Sequence, residues 1–324
     1  MINMFPFKKR FHIEPPKTDR AKLPPTLYHE PATKDMAVLL CYFNPCKYFR
    51  IMQNALMVKH LFDCAKIPYF ITEIKHDDDS GYFFTPSDNI FQYSSNSYMF
   101  YKENLITTME KRISDQYTKI CIIDFDILFD NPDWYSIISD KLNHVSVTQP
   151  FKNAHYLNLD YSISQTKTNC IDYKTNDEIN YSLEHTGFIW AFDRTWFRNY
   201  KFDDECIIGA GDSILSNKIT KRKCSSLGSK IFFMFSIKEE YLDEVIYDSC
   251  ELNVYHLSHG PLLNRQYISF KQIMYDLFVT LNIKKIDDVL VRRDDNILEW
   301  NPTYIDIFNR TLMDYFKKRN DDCI

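Results

Sequence analysis

The chain has 324 residues, enough for one large domain or two ordinary ones, and its 45% hydrophobic residues are ample for a packed core. A formal net charge of -5 gives no sign of a nucleic-acid or membrane-surface partner, and no apolar stretch is long enough to span a bilayer. The basic start lacks the apolar segment of a signal peptide, and nine cysteines without Cys-x-x-Cys spacing indicate reduced thiols in a reducing compartment.

The first half of the chain opens with a strand, helix and strand pattern. Residues 1–35, rich in proline and charge, predict a tail or strap on the surface. The apolar run 36–43 predicts a buried strand, helical spacing over 49–66 predicts a helix, and 68–74 predicts a second strand. This βαβ unit predicts an α/β fold with a parallel, nucleotide-binding-type sheet.

The later elements follow from the same patterns, without an internal repeat. In chain order we expect a helix over 97–113, a strand over 119–129, a helix opening at 131–133, a strand over 145–148, a loop region over 152–180, a strand over 185–192, a helix opening at 209–212 and mostly helical structure from about residue 266.

Two carboxylates one residue apart, Asp124 and Asp126, follow the most apolar run in the chain. On an extended segment they point the same way, at the edge where open α/β sheets bind ligands. Such a pair suits Mg²⁺ or Mn²⁺, which prefer oxygen ligands and leave room for substrate phosphates. The pair Asp77 and Asp79 is typical of a solvated turn instead. Only Asp124 and Asp126 follow a buried run, where an unpaired carboxylate would be costly, so they predict the metal site.

Two histidines near a glycine form a second motif, over residues 255–261. A neutral imidazole, from His256 or His259, can complete a coordination shell that carboxylates begin. Gly260 would let the backbone approach a phosphate. A turn with one core and one surface histidine explains the same pattern, so both interpretations remain open.

A glycine-rich stretch precedes an acid at Asp212, where a helix is expected to start. Asp212 is either an N-cap or a carboxylate held in a cleft to accept a proton from a sugar hydroxyl. In the strand before it, Gly187 and Trp190 would suit contact with a sugar ring, and ordinary core packing is the alternative.

In this order, the four motifs resemble those of the GT-A fold family of nucleotide-sugar glycosyltransferases, over about residues 36–265. The resemblance implies a mostly parallel central sheet flanked by helices. It divides the chain into a tail (1–35), a catalytic domain (36–265) and a helical extension packed on the same domain (266–324). The implied activity is metal-dependent transfer of a sugar from a nucleotide-diphosphate sugar, with a UDP-sugar expected, to a hydroxyl of a glycan or protein-linked acceptor.

The resemblance also implies roles for residues. Asp126 would ligate Mn²⁺ or Mg²⁺ on the donor diphosphate, with Asp124 toward the ribose and metal and with His259, favoured over His256, as a further ligand. Asp212 would be the base of an inverting enzyme, although the family's Gly-x-Glu-Asp stretch keeps only one acid here. The expected donor-binding residues are Tyr42, Asn44, Glu73, Lys102, Asp124 and Gly260, and the acceptor-binding residues are Gly187 and Trp190.

In the C-terminal part, residues 264–267, 296–300 and 315–319 are similar to segments of uncharacterised transferases of large DNA viruses and bacteria. The richness in Asn, Lys, Tyr, Phe and Ile with only six Gly suits an AT-rich genome. This composition predicts a viral source, and the reduced thiols predict a cytoplasmic location, in the host cytoplasm or in the virion of a large DNA virus.

Two other functions compete with this interpretation. A sugar-1-phosphate nucleotidyltransferase would normally carry a Gly-rich, basic loop after the first strand, whereas residues 42–47 contain no glycine. A non-catalytic protein with a degenerate GT-A fold would not need the intact acids and histidines.

Overall fold

The structure, a computed structural model, describes residues 27–76, 81–172, 178–200, 203–222, 242 and 245–322. The predicted tail up to residue 26 and the acidic turn with Asp77 and Asp79 lie outside the described residues. No helix in the described ranges combines the length and hydrophobicity that a bilayer crossing needs.

The chain opens with the predicted βαβ unit. Strand β1 (Met36–Tyr42) is followed by helix α1 (Phe49–Cys64) and strand β2 (Tyr69–His76), and β1 pairs with β2 in parallel. Alternate residues of β1 are buried on opposite faces of the sheet, against α1 on one face and against helix α2 (Lys102–Glu110) on the other. The sheet is therefore flanked by helices.

The other elements complete a two-sheet core with a helical C-terminal part. They are β3 (Ile90–Ser95), β4 (Lys119–Ile123), β5 (Ile127–Phe129), α3 (Trp134–Lys141), β6 (Val147–Gln149), β7 (Asn153–Leu157), β8 (Ile163–Asn169), β9 (Glu184–His185), β10 (Ile189–Asp193), α4 (Arg194–Tyr200), α5 (Gly211–Thr220), β11 (Tyr247–Ser249), β12 (Asn253–His256), α6 (Leu262–Arg265), α7 (Tyr267–Thr280), a 3₁₀ turn (Ile286–Asp288), β13 (Leu290–Arg292), β14 (Leu298–Trp300) and α8 (Ile305–Arg319).

The central sheet has seven strands in the order β11-β6-β10-β4-β1-β2-β3. Strand β10 is antiparallel to both of its neighbours, and all other pairs are parallel. Strand β4 lies in the middle and is buried along its whole length. The predicted fold class, α/β with a mostly parallel central sheet flanked by helices, is confirmed.

A second sheet corrects two predictions. Its five strands run in the order β5-β12-β7-β8-β9, so residues 152–180 contain strands and not only a loop. Strand β8 is polar and partly exposed, which gives it no apolar signal in the sequence. The single strand predicted over 119–129 is broken, because Asp124 to Ile127 form a turn closed by the Ile127 N–H donating to the Asp124 carbonyl at 3.3 Å.

The C-terminal part of the chain packs against the α2 region in a separate hydrophobic cluster. Helices α7 and α8 and the β13–β14 hairpin supply Phe270, Met274, Trp300 and Phe308 to a buried cluster that also contains Leu105 of α2. This packing places the end of α8 beside the start of α1, where the Tyr48 hydroxyl donates to two carbonyls at the end of α8 at 3.0 Å. The predicted domain boundaries stay a prediction.

Candidate active site

In the turn after β4, the carboxylates of Asp124 and Asp126 face different neighbours. The Asp124 N–H donates to the Phe188 carbonyl at 3.0 Å, and the Asp124 carboxylate lies 2.8 Å from the Lys102 ammonium. The Asp126 carboxylate instead faces His259, 2.8 Å away, and His256 at 3.6 Å. The two acids therefore do not lie on an extended segment pointing one way, and this corrects the geometry from which the metal pair was predicted.

Three side chains converge as a candidate metal site. Asp126, His256 and His259 each offer a ligand atom, and these atoms all lie within 4.8 Å of one another. Pairing of β12 with β5 places His256 opposite Ile127, and the Leu257 N–H donates to the Asp126 carbonyl at 2.7 Å. The backbone thus fixes the spacing between the acid and the histidine loop.

These residues fit a divalent cation. The Oδ1 atom of Asp126 is buried without a hydrogen-bond partner among the described residues, which is costly unless a cation is bound there. Burial would raise the pKa of Asp126, but the hydrogen bond from His259 and the charge of Arg265 hold it below its ordinary value. Burial lowers the pKa of His256, so its imidazole is neutral and has a lone pair to donate. One carboxylate with two imidazoles suits Mn²⁺ better than Mg²⁺.

An outer carboxylate orients one of these histidines. The Nδ1 atom of His259 lies 3.3 Å from Asp321, which is 2% exposed and also contacts Arg319. Metal-binding histidines commonly have such a partner, which fixes the tautomer and leaves Nε2 for the metal. Asp321 was missed because it lies in the C-terminal segment, 62 residues from His259.

A second cluster lies on the other side of the turn. Lys102, in the first turn of α2, contacts Asp124 at 2.8 Å and Asp212 at 3.2 Å. Burial acts against the charge of Lys102, but the two carboxylates hold its pKa well above the ordinary value. Asp212 lies in the first turn of α5, whose N-cap is Ala210 with φ of 87°. The N-cap interpretation of Asp212 is therefore wrong.

Two glycines allow close contact around Asp212. A Cβ atom at Gly187 would lie 2.7 Å from Oδ2 of Asp212, and one at Gly211 would overlap the Glu103 carboxyl group. Glu103 is 3% exposed, and burial together with the charge of Asp212 raises its pKa to about 8. Glu103 therefore carries a proton at neutral pH beside Asp212. Sequence patterns missed it because every residue of α2 after Lys102 is buried, which leaves no amphipathic signal.

Three residues predicted to bind the donor are engaged within the protein. Tyr42 is 6% exposed and stacks on Phe83 with ring centroids 5.0 Å apart. The side-chain amide of Asn44 bonds the backbone of Tyr48 before α1, as donor and as acceptor, both at 2.9 Å. The Glu73 carboxylate accepts from the Phe84 N–H at 3.1 Å. These contacts hold the loops at the edge of the sheet where the nucleoside is predicted to bind.

Of two further predicted contacts, the structure contradicts that of Trp190 and leaves that of Gly260 a prediction. Trp190 is 1% exposed and packs in the core, where its indole N–H donates to the Thr186 carbonyl at 2.8 Å, so no ring face is left for a sugar. Gly260 has φ of 86°, but a Cβ atom there would lie 2.9 Å from the Asp321 Cα. Gly260 therefore allows a close approach of the C-terminal segment, and because it also lines the cavity beside His256, its contact with a phosphate stays a prediction.

A cavity opens beside the histidines. It has a volume of about 450 Å³ and is lined by His256, Arg265, Tyr156, Asn158 and Gln165, among others. The lining combines one aromatic ring, two amides and one guanidinium, which suits a polar ligand with an apolar face. Arg265 was not singled out from the sequence, because nothing in its short helix α6 indicates what it faces.

No protein-family model and no curated protein matches the chain. Among solved structures, similar ones include Drosophila β1,4-galactosyltransferase 7 with manganese, UDP-Gal and xylobiose (12% identity, TM-score 0.35), covering 59% of this chain and 63% of that chain. Glucosyl-3-phosphoglycerate synthase of Mycobacterium tuberculosis with Mg²⁺ and UDP aligns at 11% identity and TM-score 0.37, over 86% and 94%. A 4-diphosphocytidyl-2C-methyl-D-erythritol synthase of Anaerococcus prevotii aligns at 12% and 0.32, over 86% and 99%.

The chain thus spans less than two thirds of the length of the first of these proteins. All three TM-scores lie below 0.5. Its fold class follows from its own strand order, with a mostly parallel central sheet flanked by helices.

Proposed function

We propose that the chain is a metal-dependent glycosyltransferase that moves a sugar from a nucleotide-diphosphate sugar, a UDP-sugar, to a hydroxyl acceptor. The observation that carries this proposal is the group Asp126, His256 and His259, which lies at the carboxyl end of the central strand with a buried, unpartnered carboxylate oxygen. Ligands of open α/β sheets bind at that edge.

Asp126, His256 and His259 would hold Mn²⁺, or Mg²⁺, together with the donor diphosphate. The cation supplies charge neutralisation for the departing diphosphate when it is bound. Asp124 and Lys102, joined at 2.8 Å, lie beside it, where the ammonium can bind a donor oxygen and the carboxylate a ribose hydroxyl.

Asp212 is the proposed base. As the acceptor oxygen forms a bond to the anomeric carbon, the bond from that carbon to the diphosphate oxygen breaks and Asp212 takes the hydroxyl proton. An ion pair with Lys102 positions the Asp212 carboxylate, and the absence of a side chain at Gly187 leaves space for that carboxylate. The acceptor would be a glycan or a protein-linked group.

A panel of UDP- and GDP-sugars with Mn²⁺ or Mg²⁺ tests the proposal. We expect one donor to be consumed only with metal, and mass spectrometry to find the sugar on an added acceptor. Asp126→Asn should abolish this turnover, whereas Asp63→Asn, a matched change on the surface of α1, should not. Pyrophosphate release from a nucleoside triphosphate and a sugar 1-phosphate would identify a nucleotidyltransferase instead, and donor binding without turnover would identify a non-catalytic protein.

A further inference from the structure

Arg265 lies directly against the candidate metal ligands. Its guanidinium Nη2 is 2.8 Å from Nε2 of His259 and 3.5 Å from Nε2 of His256. The side chain is 6% exposed, and the Arg265 carbonyl accepts from the Tyr315 hydroxyl at 2.7 Å, which anchors α6 to α8. A fixed positive charge is therefore packed at the place where a divalent cation would use the imidazole lone pairs.

The contacts of His259 conflict with one another. Its Nε2 atom is 2.8 Å from Arg265 Nη2 and also 2.8 Å from Asp126 Oδ2. A guanidinium only donates, and an ionised carboxylate only accepts. One imidazole nitrogen cannot accept from Arg265 and donate to Asp126 at once, so the arrangement satisfies only one of these partners.

Two buried atoms in the same cluster lack a partner among the described residues. They are Oδ1 of Asp126 and Nε of Arg265. The first calls for a cation and the second for an acceptor, and each unsatisfied group is unfavourable. A divalent cation bound with a diphosphate would supply both, because Asp126 would ligate the cation and Arg265 would donate to a phosphate oxygen.

We propose that Arg265 makes divalent-metal binding depend on the donor diphosphate. Without nucleotide, the guanidinium contacts His259 and His256 and opposes a second positive charge there. When the diphosphate enters, Arg265 turns to a phosphate oxygen and leaves both imidazoles to the metal. The cavity lined by Arg265 and His256 provides the space for this movement. This inference rests on the proposed function and deepens it by naming the residue that recognises the diphosphate.

Titration calorimetry of Mn²⁺ into the full chain, with and without UDP, tests the coupling. In the parent we expect UDP to tighten Mn²⁺ binding by about tenfold or more, and uridine to leave it unchanged. In Arg265→Gln, Mn²⁺ alone should bind about tenfold tighter than in the parent, and UDP should add less than about threefold. Arg310→Gln, an exposed arginine on α8, is the matched control and should behave as the parent.

The outcomes separate the two proposals. Unchanged Mn²⁺ affinity in Arg265→Gln, or an undiminished effect of UDP, overturns the role of Arg265 while leaving the proposed function intact. A parent chain that binds neither Mn²⁺ nor UDP overturns the proposed function itself. Circular dichroism verifies folding, and Arg265→Met, which keeps the length and apolar stem, replaces Arg265→Gln if that variant does not fold.

Discussion

The carboxyl group of Glu103 fills the space that a side chain at residue 211 would occupy, because Gly211 has none. The stretch ending at Asp212 resembles a Gly-x-Glu-Asp motif in which the third residue is glycine here. The structure supplies a carboxyl group at this place from α2, next to Asp212. Glu103 thus forms with Asp212, in the folded chain, the acid pair that the linear motif lacks.

Gly211→Ala should destabilise the fold, because the new Cβ atom would overlap the buried Glu103 carboxyl group. Overpacking of this kind costs about 1–3 kcal/mol in the free energy of unfolding. Urea unfolding of Gly211→Ala, Glu103→Ala and the double variant measures it. In the Glu103→Ala background the same change should be neutral or stabilising, since alanine favours helix over glycine. Equal costs in both backgrounds would show that the overlap is not the cause.

Asp212→Asn should lower sugar transfer by roughly a hundredfold or more, because the amide cannot accept the proton of the acceptor hydroxyl. Donor binding should change little, since Asp212 is not among the candidate metal ligands, and the size of the side chain is kept. Steady-state kinetics and UDP-sugar titration check the two quantities separately. Near-normal turnover would remove Asp212 as the base and would favour a retaining mechanism, which needs no such base.

Apolar runs in the sequence were sufficient to predict part of the central sheet, because β1 and β4 are buried and are continuous hydrophobic segments. They did not reveal β3 and β11, which also belong to this sheet. They failed for β8, whose alternation is polar and half-exposed. They also failed at Asp124, where a turn closes although the residues on both sides are apolar.

The candidate site was predictable only in part, for a related physical reason. Asp126 is predictable because a carboxylate is unusual directly after a buried strand, and the two histidines are predictable from their spacing beside a glycine at residues 255–261. Glu103, Arg265 and Asp321 reach the site by packing of distant helices and of the C-terminal segment, and no spacing along the chain encodes such an approach. Trp190 was misplaced because the same aromatic pattern serves core packing.

Asp126→Ala should lower the Mn²⁺-dependent affinity for UDP by at least about a hundredfold. Removing a residue that only hydrogen-bonds a metal ligand costs roughly 10–100-fold in metal affinity, and removing the ligand itself should cost more. Asp321→Asn, which alters the outer partner of His259, should fall within that smaller range. Asp124→Asn should keep Mn²⁺ affinity near the parent value, because Asp124 contacts Lys102 and lies outside the three converging ligands. Calorimetry with UDP present compares the three variants, and equal losses for Asp124→Asn and Asp126→Ala would restore Asp124 as a ligand.

The contribution of Glu103 to stability should fall as the pH rises from about 5 to 8. Burial raises the pKa of Glu103 from an ordinary 4.5 to about 8 in the folded chain. Between these values the folded state binds a proton that the unfolded state has released, so the free energy of unfolding decreases with pH over this window. Glu103→Gln cannot titrate and should flatten the decline without removing the hydrogen-bonding side chain. Urea unfolding of parent and variant at several pH values between 5 and 9 gives the two slopes. Identical slopes would mean that Glu103 is ionised in the folded chain, in which case the Lys102 ammonium outweighs its burial and the repulsion of Asp212.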